Sequence, residues 1–213
     1  MEHRQSDGHG RAAKSMLVRE MERPEALREK CARMQAEAKY YGRGFRKERL
    51  DPRLYERIVA HFQANVARFR TENVGEEIGS VARQTIPSLV FEDAVFNAQL
   101  AQDLKPVTEA WAGMPLQTSA CYGIRCYQRG AYLHTHVDRT SLVFSITLCV
   151  DRALDSPWPL HIEDVDGNAS QLVIEPGEFV FYEGMRLAHG RPYPLDGEFY
   201  AGIFAHYQPA EVA

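Results

Sequence analysis

The chain lacks what several protein classes require. Nowhere do its apolar residues run to the ~18 that a membrane-spanning helix needs. The opening Met1-Glu2-His3-Arg4-Gln5-Ser6-Asp7-Gly8-His9-Gly10 has no apolar core of a secretory signal. Its four cysteines, Cys31, Cys121, Cys126 and Cys149, never stand as Cys-x-x-Cys, so neither a zinc knuckle nor a dithiol redox pair is indicated. The expectation is a cytoplasmic protein with reduced thiols. Internal repeats and low-complexity tracts are absent. Lysine disappears after Lys105, so any basic group needed further on must be an arginine or a histidine.

What is present reads as one domain with an extension, 213 residues long and able to bury a substantial core. The net charge of −4 is unevenly spread. Residues 1–70 hold 17 Lys+Arg against 10 Asp+Glu, whereas residues 71–213 hold 8 against 19. A basic arm can serve a polyanionic partner. Here a solvated helix face complementing its own acidic domain accounts for it, and the acidic half argues against nucleic acid.

Residues 1–12 are polar and Gly-containing, and disorder is expected there. Residues 13–112 read as a mainly helical region. After Pro24, the spacing of Leu27, Cys31, Met34, Ala38 and Tyr41 predicts an amphipathic helix that Gly42 and Gly44 end. Asp51-Pro52 is an N-cap followed by proline at the first helical position, and Leu54, Ile58, Phe62 and Val66 form one buried stripe. Residues 71–80 read as a connection, 86–91 as a strand and 92–112 as a helix.

From Thr118 the pattern changes to short strands: 118–128, 131–137, 142–150, 158–163, 171–175, 178–183, 186–192 and 199–207. Turn residues such as Arg129-Gly130, Pro176-Gly177 and Pro194-Leu195-Asp196-Gly197 separate them. Leading helices followed by eight strands suit a jelly roll over 113–213 with helices packed on one sheet. In 142–150, Leu142, Phe144, Ile146, Leu148 and Val150 share an apolar face under the helices. Val143, Ser145, Thr147 and Cys149 form the other, whose small side chains would line a cavity.

The chemistry-bearing stretch is Tyr127 to Asp138. His136-x-Asp138 puts an imidazole and a carboxylate on one face of a strand. His189, in Leu187-Ala188-His189-Gly190-Arg191, can join them if its strand folds back alongside. Two imidazoles and one carboxylate are the facial triad of a non-haem Fe(II) centre, which leaves three coordination positions open. A lone His-x-Asp is common by chance. The Tyr127-x-x-Gly130 lead-in, the strands between the ligands and the distal histidine make the set specific.

Residues from about Leu89 to Pro209 resemble the prolyl 4-hydroxylase branch of the Fe(II)- and 2-oxoglutarate-dependent dioxygenases. The shared elements are Tyr127-x-x-Gly130, His136-x-Asp138, the Pro176-Gly177 turn before an apolar strand, and His189 with Gly197 downstream. The resemblance implies an α+β fold with a mainly β core, a double-stranded β-helix (jelly roll). It implies Fe(II) at His136, Asp138 and His189, 2-oxoglutarate and O2 as co-substrates, and stimulation by ascorbate. Tyr127 would donate to the co-substrate. A carboxylate at Asp138, where related halogenases carry a small residue, favours hydroxylation. The substrate would be an amino acid, a peptide or a small molecule, with release of succinate and CO2.

The sequence departs from this pattern at one position. The family's basic anchor for the distal carboxylate of 2-oxoglutarate falls two residues after the glycine matching Gly197, and here that is Phe199. If Pro194–Gly197 is a hairpin tip, Arg191 lies nearly opposite Phe199 and Tyr200, and it shares the inward face of His189. Arg191 is therefore the expected anchor, binding bidentately. Arg125, on the face of Tyr127, is the second candidate, and Arg186 is expected to face out. His134 reads either as a group beside the metal or substrate or as a hydrogen-bonded barrel histidine. His161, His206, Trp111 and Trp158 read as structural. Two other readings stay open: a non-catalytic jelly-roll binding module, and a cupin-like Zn(II) or Mn(II) enzyme that does not use 2-oxoglutarate.

Overall fold

The computed structural model describes residues 25–72 and 86–210. The expected disorder of residues 1–12 and most of the 71–80 connection lie outside the described residues.

Three helices precede the main run of strands. Helix α1 (Glu25–Glu37) ends earlier than the apolar spacing predicts. The Ala38 amide still closes on the Met34 carbonyl at 3.0 Å, and Gly42 and Gly44, both at positive φ, then turn the chain. Helix α2 (Pro52–Asn65) is capped by Asp51, whose carboxylate accepts from the Arg53 and Leu54 amides. Ile58 and Phe62 of the predicted stripe are buried. Val66 is not: the helix tightens into a 3-10 turn over Val66–Arg68, which leaves it 54% exposed. Helix α3 (Ala94–Ala112) starts at the Asp93 cap and stops at Gly113 in the left-handed conformation.

Twelve strands among the described residues form two sheets. The larger contains β1 (Phe45–Arg49), β2 (Arg70–Thr71), β3 (Leu89–Phe91), β4 (Leu116–Cys121), β5 (Ile124–Gln128), β7 (Phe144–Leu154), β10 (Glu178–Tyr182) and β12 (Gly197–Pro209). Its order is β1-β10-β7-β12-β5-β3-β2, with β4 also on β12. The smaller has β6 (Leu133–His136), β8 (Leu160–Glu163), β9 (Ala169–Leu172) and β11 (His189–Arg191), in the order β6-β11-β8-β9. All pairings are antiparallel. This is the double-stranded β-helix, an α+β fold with a mainly β core.

Two large clusters account for most of the packing. One lies between α2, α3 and the outer face of the larger sheet. There Ile58, Phe62, Leu100, Leu104 and Trp111 meet Phe144, Ile146, Leu148 and Val150. Trp111 stacks on Phe181 at 5.0 Å between ring centroids. The apolar face expected of the 142–150 strand is thus under the helices. The second cluster lies between the sheets and includes Tyr127, Cys149, Val180 and Tyr200 from the larger, with Leu160 and Ile162 from the smaller.

Three details differ from the sequence expectation. Residues 45–49 (Phe-Arg-Lys-Glu-Arg), inside the region read as mainly helical, form an edge strand on β10. Such charges are what an exposed edge tolerates. The single strand expected over 118–128 is two, β4 and β5, broken at Gly123, where a Cβ would stand 2.1 Å from the Phe91 carbonyl oxygen. The expected hairpin between β11 and β12 does not form. Strand β11 pairs with β6 and β8, whereas β12 pairs with β4, β5 and β7 in the other sheet.

Candidate metal centre

His136 and His189 are register partners on β6 and β11, so backbone pairing alone sets their imidazoles side by side, 4.6 Å between ring centroids. Asp138 follows two residues after His136, where its amide donates to the Gly184 carbonyl at 2.8 Å. One nitrogen of each histidine and one carboxylate oxygen of Asp138 all lie within 4.8 Å of one another. Asp138 Oδ1 is 3.8 Å from His136 Nε2 and 3.7 Å from His189 Nε2.

The other ring nitrogens are committed. His136 Nδ1 lies 2.7 Å from the His134 carbonyl and His189 Nδ1 2.8 Å from the Leu187 carbonyl. A carbonyl only accepts, so each Nδ1 carries the proton and each Nε2 presents a lone pair to the common point. The electrostatics agree. Burial, with His189 alongside, pulls His136 down to about 4, which keeps the ring neutral. For Asp138 burial works upward. His189, His206 and His136, with the Ser145 hydroxyl, outweigh it and hold the carboxyl below its usual range. Two imidazoles and one carboxylate, buried and convergent, form a donor set suited to a divalent cation that accepts N and O ligands, Fe(II) among them.

Close backbone approach makes this possible at two glycines. A Cβ on Gly190 would meet the His134 oxygen and the Thr135 Cα at 2.8 Å, so only glycine lets β11 lie this close to β6. A Cβ on Gly184 would stand 2.2 Å from Asp138 Oδ2.

Arg191 is 4% exposed, with its guanidinium 4.6 Å from the Trp158 ring centroid and 4.4 Å from that of Tyr200, two rings that also pack edge-on against each other at 5.4 Å. It donates to the Trp158 carbonyl and, at 2.9 Å, to the Tyr200 hydroxyl. Among the described residues no carboxylate pairs with it. The proximity to Tyr200 arises across the barrel, between the two sheets, and not along a hairpin. Phe199 points the other way, 6.3 Å between ring centroids from Phe62 under α2.

Arg125 shares the interior face of β5 with Tyr127, as expected, but it already holds a partner. Its Nε donates to Glu72 at 3.0 Å and its Nη2 to the same carboxylate. Tyr127 is buried with its ring edge-on to Trp158 at 5.1 Å. Arg186 faces away from the site and donates to the Gln35 carbonyl of α1 at 3.1 Å. His134 supplies its carbonyl to His136, while its ring lies against Tyr132.

Sequence reasoning missed three groups here. His206 lies with Ser145 against Asp138. Trp158 is a wall of the Arg191 cage. Helix α1 sets Cys31 and Met34 on Val137 and Ala188, next to the ligands. The only sequence signal for the first was the alternation along β12, which puts His206 on the same face as Tyr200.

No protein-family model and no curated protein matches the sequence. Solved structures do match in fold. The epimerase SnoN from nogalamycin biosynthesis, described as non-haem and alpha-ketoglutarate dependent, superposes with a TM-score of 0.60 at 14% identity, covering 84% of this chain and 83% of that one. A Pseudomonas putida prolyl-4-hydroxylase gives 0.56 at 12%, covering 79% and 94%. HygX from Streptomyces hygroscopicus, solved with nickel, 2-oxoglutarate and hygromycin B bound, gives 0.53 at 14%, covering 78% and 83%. The chain has the fold of these enzymes. At such identities the likeness extends to architecture, and the chemistry has to be argued from the residues.

Proposed function

We propose that the protein is an Fe(II)- and 2-oxoglutarate-dependent dioxygenase that hydroxylates an unactivated C–H bond of an amino-acid, peptidyl or small-molecule substrate. His136, Asp138 and His189 would hold the metal. When bound, Fe(II) and 2-oxoglutarate activate O2, one oxygen atom entering succinate as CO2 leaves and the other entering the substrate as a hydroxyl.

The observation that carries this reading beyond a bare metal site is Arg191. A guanidinium buried without a counter-ion is costly, and an anionic ligand repays that cost. It sits two residues from His189, inside the same barrel, which suits a dicarboxylate that chelates the metal at one end. Trp158 and Tyr200 shield the guanidinium from water on the side they share and strengthen its pairing with a carboxylate. Tyr127 lines the same space, and we assign it as a donor to the co-substrate. Arg125 is the weaker anchor because Glu72 already neutralises it. The neutral His136 and the ionised Asp138 supply one negative charge to a divalent ion, so a chelating anion is well matched. Retention of Asp138 leaves no vacancy for a halide and favours hydroxylation.

The test is succinate formation under air with Fe(II), ascorbate and 2-oxoglutarate, for wild type and for His136→Ala, Asp138→Ala and His189→Ala. Succinate from wild type and near-complete loss in all three is expected. Metal binding without succinate would instead make this a metal enzyme of the cupin kind. Neither metal binding nor succinate would leave a binding module.

A further inference from the structure

All three metal ligands belong to the smaller sheet and the turn that follows β6, yet the second oxygen of Asp138 is held from the larger sheet. Ser145 on β7 and His206 on β12 are register partners, and both point into the barrel. Ser145 Oγ donates to Asp138 Oδ2 at 3.2 Å, and His206 Nδ1 lies 2.8 Å from that same Oγ. His206 Nδ1 is 3.8 Å from Oδ2, too far for a direct bond. The proton count then allows one arrangement. An ionised carboxylate only accepts, and a serine hydroxyl has a single proton. With that proton given to Asp138, Ser145 must accept from His206, so the sense runs from His206 Nδ1–H to Ser145 Oγ–H to Asp138 Oδ2. Both side chains are buried, Ser145 at 0% and His206 at 3% exposure, and Gly184 leaves the room they need, since a Cβ there would stand 2.5 Å from Ser145 Oγ.

We infer that Ser145 and His206 are positioning residues that occupy Asp138 Oδ2 and so make this carboxylate a one-oxygen ligand, keeping three coordination positions open at the metal. A carboxylate free at both oxygens can close onto a divalent cation through both and take one of the positions that the co-substrate and O2 require. Oδ1 is the oxygen facing the two Nε2 atoms, and the hydroxyl tether turns Oδ2 away from them. The tether also joins the two sheets at the metal, so the angle of Asp138 depends on the larger sheet as well as on its own strand. This rests on the metal-site reading above and concerns neither the substrate nor the 2-oxoglutarate anchor.

The experiment loads Mn(II), with no co-substrate, into wild type, Ser145→Ala, His206→Phe and His206→Asn. It measures the dissociation constant and, from water-proton relaxation, the number of solvent positions on the bound ion. Wild type is expected to keep three. Ser145→Ala and His206→Phe are expected to lose one of them or to bind Mn(II) about tenfold or more weakly. His206→Asn restores a donor at the Nδ1 position and should recover the wild-type count. Thermal melts identify a variant that fails to fold, and Ser145→Ala, which removes one oxygen atom, carries the test if His206→Phe does. Unchanged affinity and an unchanged solvent count in both Ser145→Ala and His206→Phe would overturn the inference and leave the pair a core polar contact. A wild type that binds no Mn(II) would overturn the metal-site reading itself, and this inference with it.

Discussion

At the scale of single residues, the site depends on which atoms are already engaged. Arg191 is buried and Arg125 half-buried, both on interior strands, and what separates them further is a partner: Glu72 pairs with Arg125, while Arg191 has a carbonyl, a phenol and two aromatic rings. Losing a buried charge-assisted pair costs on the order of 2–5 kcal/mol, so Arg191→Ala should raise the KM for 2-oxoglutarate by about thirtyfold or more. Arg191→Lys should rescue poorly, because a point charge does not reproduce the planar fork. Arg125→Ala should change this KM far less. A large rise only in Arg125→Ala would move the anchor to β5. Gly184 gives a second residue-scale prediction. With Asp138 Oδ2 2.2 Å from where its Cβ would sit, Gly184→Ala must displace the carboxylate. Weaker metal binding by tenfold or more, measured by titration calorimetry with Mn(II), is the expected result.

At the scale of elements, the N-terminal segment is fastened to the site by a carboxylate. Glu183, at 1% exposure, directly follows β10 and accepts from the Tyr41, Arg43 and Gly44 amides at 2.7, 2.5 and 3.1 Å. Next to it, Gly184 receives the Asp138 amide, and Gln35 and Arg186 exchange side-chain bonds with each other's carbonyls. Glu183→Gln turns one acceptor oxygen into a donor facing an N–H. It should cost about 1–3 kcal/mol, read as a lower urea midpoint, with earlier proteolysis across residues 38–44. An unchanged midpoint would mean that the segment is held by Cys31, Met34 and the Gln35–Arg186 bonds without help from Glu183. The basic stretch that might have suggested a polyanion thus supplies a helix beside the metal ligands and an edge strand with ion pairs from Lys47 and Arg49 to Glu178.

At the scale of the whole molecule, a metal held by β6, β11 and the turn beyond needs ligands that only the folded chain brings together, so loading should stabilise the entire fold. A ligand at 100 times its dissociation constant adds about 2.7 kcal/mol, which for a chain of this size raises Tm by on the order of 5–10 °C. Scanning calorimetry with Mn(II), reversed by a chelator, measures it, and no shift in wild type would count against the three-ligand site. Much of this architecture was legible beforehand. Alternation along 142–150, the Asp51-Pro52 cap and the glycine and proline turns are local signals, and strands and helices obey them because neighbouring side chains alternate faces or repeat every turn. His136-x-Asp138 is legible for the same reason: two residues apart on a strand is one face. Three facts escaped that logic. Strand β11 lies in the smaller sheet, Phe199 looks out toward Phe62 while Tyr200 looks in, and His206 reaches Asp138 through Ser145. Each depends on which strand lies beside or across from which, and hydrogen-bonded pairing between segments tens of residues apart leaves no trace in local periodicity. The sequence alone determined the ligand types, the turns and the faces. Only the tertiary structure decided that, of the two candidate anchors, Arg125 has a carboxylate partner and Arg191 has none among the described residues, because burial and counter-ions are properties of neighbours brought together by the fold.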